Sequence, residues 1–112
     1  MIKLSTENFN EEVISSRQPV VVNYWSGDCD RCKELISNLE EISDRYEDMA
    51  RFATFNISGE LTYDTQNSRL ALNQGVRKLP TVVIYLYGEK KVQLEGQDLE
   101  VEDIESALEK YL

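Results

Sequence analysis

Two continuous apolar segments, residues 20–25 and 82–87, constrain the fold of this chain most strongly. Both are rich in β-branched and aromatic residues, and neither alternates between apolar and polar side chains as a half-exposed strand does. Such segments predict strands that are buried on both faces, as in the parallel part of an α/β sheet. Helices must then cover both faces, so we expect an α/β fold.

The rest of the chain supplies those helices and the remaining strands. Apolar residues recur at helical spacing from Cys29 to Met49, which predicts the longest helix. Shorter helices are expected to begin near residues 5–6, 64–65 and 101, and further strands at residues 2–4, 51–57 and 91–95. The resulting order β-α-β-α-β-α-β-β-α predicts a central mixed sheet flanked by helices on both faces.

Length and the N-terminus lead to expectations about domains and location. The chain has 112 residues, and because domains most often hold roughly 100–150 residues, we expect one domain over residues 1–112. No segment approaches the roughly 18 apolar residues that can span a bilayer. Residues 1–5 lack the apolar core of a secretory signal, so we expect a cytoplasmic protein.

Charge and composition exclude several classes of function. Twelve Lys and Arg against 21 Asp and Glu give a net charge of −9. Such a surface repels phosphate backbones and anionic lipids, so neither nucleic acid nor a membrane is expected as a partner. The chain contains no His. This excludes the usual Ser-His and Cys-His hydrolase mechanisms and removes the commonest metal ligand.

The only two cysteines, Cys29 and Cys32, lie where the first apolar segment meets the long predicted helix. In a reducing compartment this spacing indicates redox or metal chemistry and not a structural bridge. A helix N-terminus stabilises a thiolate, so Cys29 is expected to attack a partner disulfide and Cys32, one turn later, to displace the partner. Zinc would need further ligands, and an iron–sulfur cluster would need two chains, so no metal or cofactor is expected.

The residues around the cysteines favour opposite outcomes for the thiolate. The carboxylates of Asp28 and Asp30 oppose its formation, whereas the cations Arg31 and Lys33 favour it, and the net sign stays open. Asn23 is a polar residue in a strand that is otherwise apolar. Its amide is expected either to be hydrogen-bonded in the core or to belong to a site.

Taken together, these features resemble the thioredoxin family over nearly the whole chain. The family pattern W-C-G-P-C-K follows a strand that carries a Trp and a buried Asp, and a later Ile-Pro-Thr segment contains a cis proline. The matching positions here are Trp25, Cys29, Cys32, Lys33, residues 79–81 and Gly96, the glycine after the last strand. Trp25 is as consistent with packing as with a functional role.

The resemblance implies a thioredoxin fold and a protein-disulfide reductase with a reversible Cys29–Cys32 disulfide. It also implies a monomer that exchanges electrons with client protein disulfides and with a disulfide reductase. A cis peptide is expected before Pro80, next to the sulfurs. Leu79 and Thr81 are expected to offer backbone groups to an extended client peptide.

Departures from the family pattern lead to an alternative hypothesis. Asp28 replaces a Trp, Asp30 and Arg31 replace Gly-Pro, and Asn23 replaces the buried Asp that assists deprotonation of the second cysteine. Asn cannot accept that proton. The alternative is therefore a thioredoxin-fold binding or adaptor module with little redox turnover, whose contact would be an acidic surface or the long segment 58–74.

Overall fold

The computed structural model describes residues 1–112 and contains one mixed sheet of five strands. The strands are β1 (Ile2–Leu4), β2 (Val20–Trp25), β3 (Arg51–Asn56), β4 (Thr81–Leu86) and β5 (Glu89–Glu95). Their order across the sheet is β1-β3-β2-β4-β5, so β1 and β5 are the edges. β1, β3 and β2 run parallel, and β4 and β5 pair in antiparallel fashion. The predicted mixed sheet is confirmed.

Three α-helices connect and cover the strands. They are α1 (Asp30–Ser43), α2 (Gln66–Asn73) and α3 (Val101–Glu109), with a π-helical turn at Asn10–Ile14 and a 3₁₀ turn at Asp44–Tyr46. Thr65 is the N-cap of α2, and its hydroxyl accepts the backbone N–H of Ser68 at 3.2 Å. None of the helices has the length and apolar character needed to cross a membrane.

Two predicted helices are shorter than expected. The long helix ends at Ser43, and Met49 is 48% exposed instead of continuing the buried stripe. The chain turns at this point because it must enter β3, and the N–H of Met49 bonds to the Tyr46 carbonyl at 2.8 Å. Near the N-terminus only the π-helical turn forms. There the Asn8 side chain accepts the N–H of Ser5 at 2.7 Å, as the third residue of a capping box does, and the N–H of Phe9 bonds to the Ser5 carbonyl at 3.1 Å.

Helices cover both faces of the sheet, as predicted, and divide the interior into two cores. The first core lies beneath the π-helical turn and α2 and contains Phe9, Val22, Tyr24, Phe55 and Tyr85 among its 13 residues. The second core lies beneath α1 and α3 and contains Val21, Leu35, Phe52, Ile84 and Leu108 among its 12 residues. The two sets interleave along each strand because successive side chains point to opposite faces.

A chain of hydrogen bonds crosses the first core. The hydroxyls of Tyr24 and Tyr85 are 2.7 Å apart, and that of Tyr85 donates to Gln74 Oε1 at 2.8 Å. Burial raises the pKa of Tyr85 to about 12. Burial, together with the neighbouring Tyr85, raises the pKa of Tyr24 still further. Both phenols are therefore neutral donors at physiological pH, and each has a partner.

Candidate active site

A tight turn joins the end of β2 to the start of α1. Ser26 is 2% exposed, and its hydroxyl accepts the backbone N–H of Asp28 at 3.3 Å. Its carbonyl accepts the N–H of Cys29 at 3.1 Å. Cys29 itself is the N-cap of α1 and has an extended backbone. Ser26 thus shapes the turn with both its hydroxyl and its carbonyl.

The two cysteines form a disulfide across the first turn of α1. Their Cα atoms are 5.2 Å apart. Cys29 Sγ accepts the backbone N–H of Cys32 at 3.2 Å, so the sulfur occupies the place of an N-capping side chain. Cys29 is partly exposed, whereas Cys32 is 0% exposed. One sulfur is therefore presented at the helix tip and the other is covered by the fold.

The cis-proline segment lies at the same end of the sheet. The Leu79–Pro80 peptide is cis. Thr81 is the first residue of β4 and pairs with Tyr24 of β2, which leads into the cysteine turn. The Thr81 hydroxyl donates to the Lys78 carbonyl at 2.7 Å and fixes the approach to the strand. The antiparallel register of β2 and β4 thus brings together two segments that are far apart in sequence.

Three of the charged residues near the cysteines have no ion-pair partner. Asp28, Asp30 and Lys33 are exposed and form none of the salt bridges in the structure. No group of three or more His, Cys, Asp or Glu side chains is arranged to hold a metal ion. The charges of these three residues are therefore solvated, and their electrostatic effect on the sulfurs is weak.

Arg31 behaves differently from its neighbours, because its guanidinium is held by other groups. Its Nη1 bonds to Glu34 at 2.9 Å, and its Nη2 lies 3.2 Å from Glu100 and donates to the Leu99 carbonyl. Partial burial opposes the charge, but these carboxylates raise the pKa of Arg31 above its ordinary value. The sequence suggested that Arg31 favours the thiolate. In the structure two carboxylates offset its charge.

Asn23 and Trp25 carry the buried polar atoms that lack a hydrogen-bond partner in the protein. Both side-chain atoms of the Asn23 amide and the Trp25 indole Nε1 are unpaired. Asn23 lies two residues after Val21 on β2, so it faces the second core beneath α1. The Asn23 amide therefore has no hydrogen-bond partner among the protein's own groups. Its membership of a site stays a prediction.

Residues 96–100 contact both the cis-proline segment and the start of α1. In the sequence, only Gly96 of this segment was recognised. Gln97 Nε2 donates to the Leu79 carbonyl at 2.9 Å. Leu99 and Glu100 are the residues that hold Arg31. No local pattern marks this segment, since its contacts join residues far apart in the chain.

The comparisons with known proteins agree with this geometry. A family model described as Thioredoxin matches residues 1–110. The chain belongs to the thioredoxin family. Its five-stranded mixed sheet with helices on both faces is the thioredoxin fold that the sequence predicted.

Curated relatives match over most or all of their length. A thioredoxin from Acetoanaerobium sticklandii is 30% identical over 112 residues, which is the whole of both chains. A thioredoxin from Griffithsia pacifica is 37% identical over 83 residues, 74% of this chain and 70% of that one. A thioredoxin from a Synechocystis species is 29% identical over 110 residues, 98% of this chain and 95% of the relative.

Family membership and the cysteine geometry together establish the chemistry. A C-x-x-C pair at disulfide distance on a thioredoxin fold makes this chain a thiol–disulfide oxidoreductase with disulfide reductase activity. The general partners of thioredoxins are protein disulfides and a reductase that returns the electrons. The predicted function is confirmed at this level.

Proposed function

We propose that Cys29 is the nucleophile and Cys32 the resolving residue in the reduction of client protein disulfides. The observation that carries this assignment is the unequal exposure of two sulfurs in one disulfide. Only the sulfur at the tip of α1 can be reached by a client. The N-terminal charge of α1 and the N–H of Cys32 stabilise its thiolate.

The exchange then proceeds in two balanced steps. The Cys29 thiolate attacks one sulfur of the client disulfide, forms a mixed disulfide and releases the other client sulfur as a thiolate. The Cys32 thiolate next attacks Cys29 Sγ, restores the Cys29–Cys32 disulfide and releases the second client thiolate. Two electrons pass to the client, and a disulfide reductase returns two electrons to the chain.

The cis-proline segment is the proposed binding site for the client backbone. Thr81 already lies inside the sheet between Tyr24 and Glu95, whereas Leu79 precedes the strand and is partly exposed. Leu79 is therefore the residue whose backbone is best placed to pair with an extended client peptide. Pro80 is buried and holds Leu79 at the end of the sheet that carries the cysteines.

Deprotonation of Cys32 requires a group other than Asn23, because an amide cannot accept a proton at neutral pH. Water, or the exposed carboxylate of Asp28 or Asp30, takes that role in our proposal. Trp25 and Lys33 complete the surroundings of the site. Trp25 lies at the end of β2, and Lys33 lies on the exposed side of the first turn of α1.

The remaining proposals concern partners and location. Residues 1–112 act as one domain and as a monomer, without metal or cofactor, in the cytoplasm. The cytoplasmic location is supported by the cysteine content, since the only cysteines form the C-x-x-C pair and no second disulfide stabilises the fold. The net charge of −9 favours clients and a reductase that carry basic residues near the reacting disulfide.

Trapping of mixed disulfides tests the roles of the two cysteines. A Cys32→Ser variant should accumulate a covalent complex with insulin through Cys29, because the resolving thiol is missing. Cys29→Ser is the matched control and should form none. Complexes are counted by mass spectrometry after alkylation of free thiols. Trapping that survives Cys29→Ser and requires Cys32 would reverse the assignment, and trapping by neither variant would favour the adaptor hypothesis.

A further inference from the structure

We propose that residues 96–100, which lie between β5 and α3, connect the two halves of the active site and fix their separation. One half is the cis-proline loop at Leu79, and the other is the first turn of α1 with Cys29. Arg31 and Gln97 are the positioning residues through which this connection acts. The 96–100 segment thereby becomes a determinant of client reduction. This inference rests on the proposed roles of Cys29 and Leu79.

The first connection joins the 96–100 segment to the cis-proline loop. Gln97 Nε2 donates to the Leu79 carbonyl at 2.9 Å, and the N–H of Gly96 donates to the Pro80 carbonyl at 3.0 Å. The Leu79 carbonyl belongs to the cis peptide itself. Because a carbonyl has two lone pairs, the bond from Gln97 holds this group in place and leaves one acceptor position for a client N–H.

The second connection joins the same segment to the cysteine helix. Arg31 lies between the two cysteines, and its side chain is 16% exposed. It donates to the Leu99 carbonyl and pairs with Glu100 at 3.2 Å. Its other branch bonds to Glu34 within α1 at 2.9 Å, so one planar guanidinium joins the first turn of α1 to the segment.

The 96–100 segment can transmit position because it is itself fixed. Leu99 is buried in the second core, and its N–H bonds to the Gly96 carbonyl at 3.2 Å. Gly96 has a φ of +109°, a conformation that other residues adopt only with strain. At the other end the N–H of Glu100 donates to Asp103 at 3.1 Å and ties the segment to α3.

Client reduction needs the cis-proline loop and Cys29 at the correct distance from each other. The client backbone is held at Leu79 while one of its sulfurs must align with Cys29, so the distance between the two halves decides the rate. A misplacement of about 1 Å can lower a rate by about 100-fold. A small disulfide without a peptide backbone reacts with Cys29 and is released by Cys32, but it does not pair with the Leu79 backbone, so its reduction does not depend on that distance.

Two positioning variants and two matched controls test the connection. Gln97→Ala removes the bond to Leu79, and Arg31→Lys removes the guanidinium Nη2 that contacts Leu99 and Glu100. The control for Gln97→Ala is Asp98→Ala, an exposed neighbour that makes no hydrogen bond to the cis-proline loop. The control for Arg31→Lys is Glu34→Gln, which weakens an Arg31 contact within α1 but leaves the segment untouched.

Each variant is assayed for kcat/KM with insulin and with bis(2-hydroxyethyl) disulfide, and its folding is checked by thermal denaturation. Gln97→Ala and Arg31→Lys should each lower kcat/KM for insulin about 5- to 10-fold. Gln97→Ala should leave the small disulfide at the wild-type rate, and Arg31→Lys should lower its rate less than that of insulin. Both controls should match wild type on both substrates. The double variant should lose no more kcat/KM for insulin than the more impaired single variant, because both changes cut one connection.

Other results would overturn the connection. These are insulin reduction within twofold of wild type in both single variants, an equal loss with the small disulfide, or a double variant whose loss is the product of the single losses. A failure of the proposed function looks different: a reversed assignment is seen in the trapping by Cys29→Ser and Cys32→Ser, and an adaptor would reduce neither substrate even as wild type.

Discussion

The two faces of the sheet treat their buried polar groups in opposite ways. In the first core Tyr24, Tyr85 and Gln74 form a complete chain of hydrogen bonds. On the second face, beneath the start of α1, the Asn23 amide and the Trp25 indole N–H have no partner in the protein. Tyr24 points to one face of β2, and Asn23 and Trp25 point to the other. The contrast therefore arises between side chains that are adjacent in sequence.

The contrast separates buried groups whose hydrogen bonds stabilise the fold from buried groups that form none within the protein. An unpaired buried polar group costs about 1–3 kcal/mol, so a sequence selected for stability alone would pair or replace it. Local rules of stability are broken mainly where function requires it. The unpaired groups lie at the cysteine end of β2, whereas the paired groups on the opposite face stabilise the sheet.

The largest expected effect comes from breaking the hydrogen-bond chain of Tyr24, Tyr85 and Gln74. Tyr85→Phe leaves both the Tyr24 hydroxyl and Gln74 Oε1 without their partner, and it should lower the free energy of unfolding by about 2–3 kcal/mol. Tyr24→Phe is the control, because Tyr85 can still donate to Gln74, and it should lower it by only about 1 kcal/mol. Urea denaturation measures both values.

The same variants should leave the reduction potential of the Cys29–Cys32 disulfide unchanged, because the hydrogen bonds of Tyr24 and Tyr85 lie on the face of the sheet opposite α1. A reduction potential that shifts with Tyr85→Phe, or equal losses of stability in the two variants, would contradict the different roles of the two faces.

A smaller effect is expected from restoring a base on the second face. Asn23→Asp places a proton acceptor beneath the start of α1 and should accelerate decay of the mixed disulfide by at least about tenfold, since a positioned base aids proton transfer. Stopped-flow measurement of client thiol release follows this step. Asn23→Leu is the control, because it removes the same amide without adding a base, and it should decay at the wild-type rate. An unchanged rate in Asn23→Asp would mean that Cys32 already has an adequate acceptor.

Much of the fold could be predicted because its signals are local. The apolar segments of β2 and β4 predicted a sheet covered on both faces, and Thr65 had the side chain of an N-cap. The end of α1 could not be predicted in this way. The 3₁₀ turn that follows buries Tyr46 at nearly the spacing of a continuing helix, so the apolar pattern does not mark where the helix stops.

The site was predictable only in part, for a similar reason. Spacing and resemblance located the cysteines and the cis proline. The contact from Arg31 to Leu99 spans 68 residues, and that from Gln97 to Leu79 depends on how β5 leaves the sheet. No local pattern encodes either contact. The sequence also left open whether Asn23 is paired, since that depends on every group packed around it.

The function of this chain depends on a Cys29–Cys32 disulfide that opens reversibly and transfers electrons to protein disulfides. The most direct measurement equilibrates the chain in buffers of reduced and oxidised glutathione. The fraction of disulfide is then read from the mass added by a thiol-alkylating reagent, and the same samples are assayed for insulin reduction. We expect one reversible two-electron transition together with turnover of insulin. A disulfide that does not open reversibly, or a reduced pair that leaves insulin intact, would contradict it.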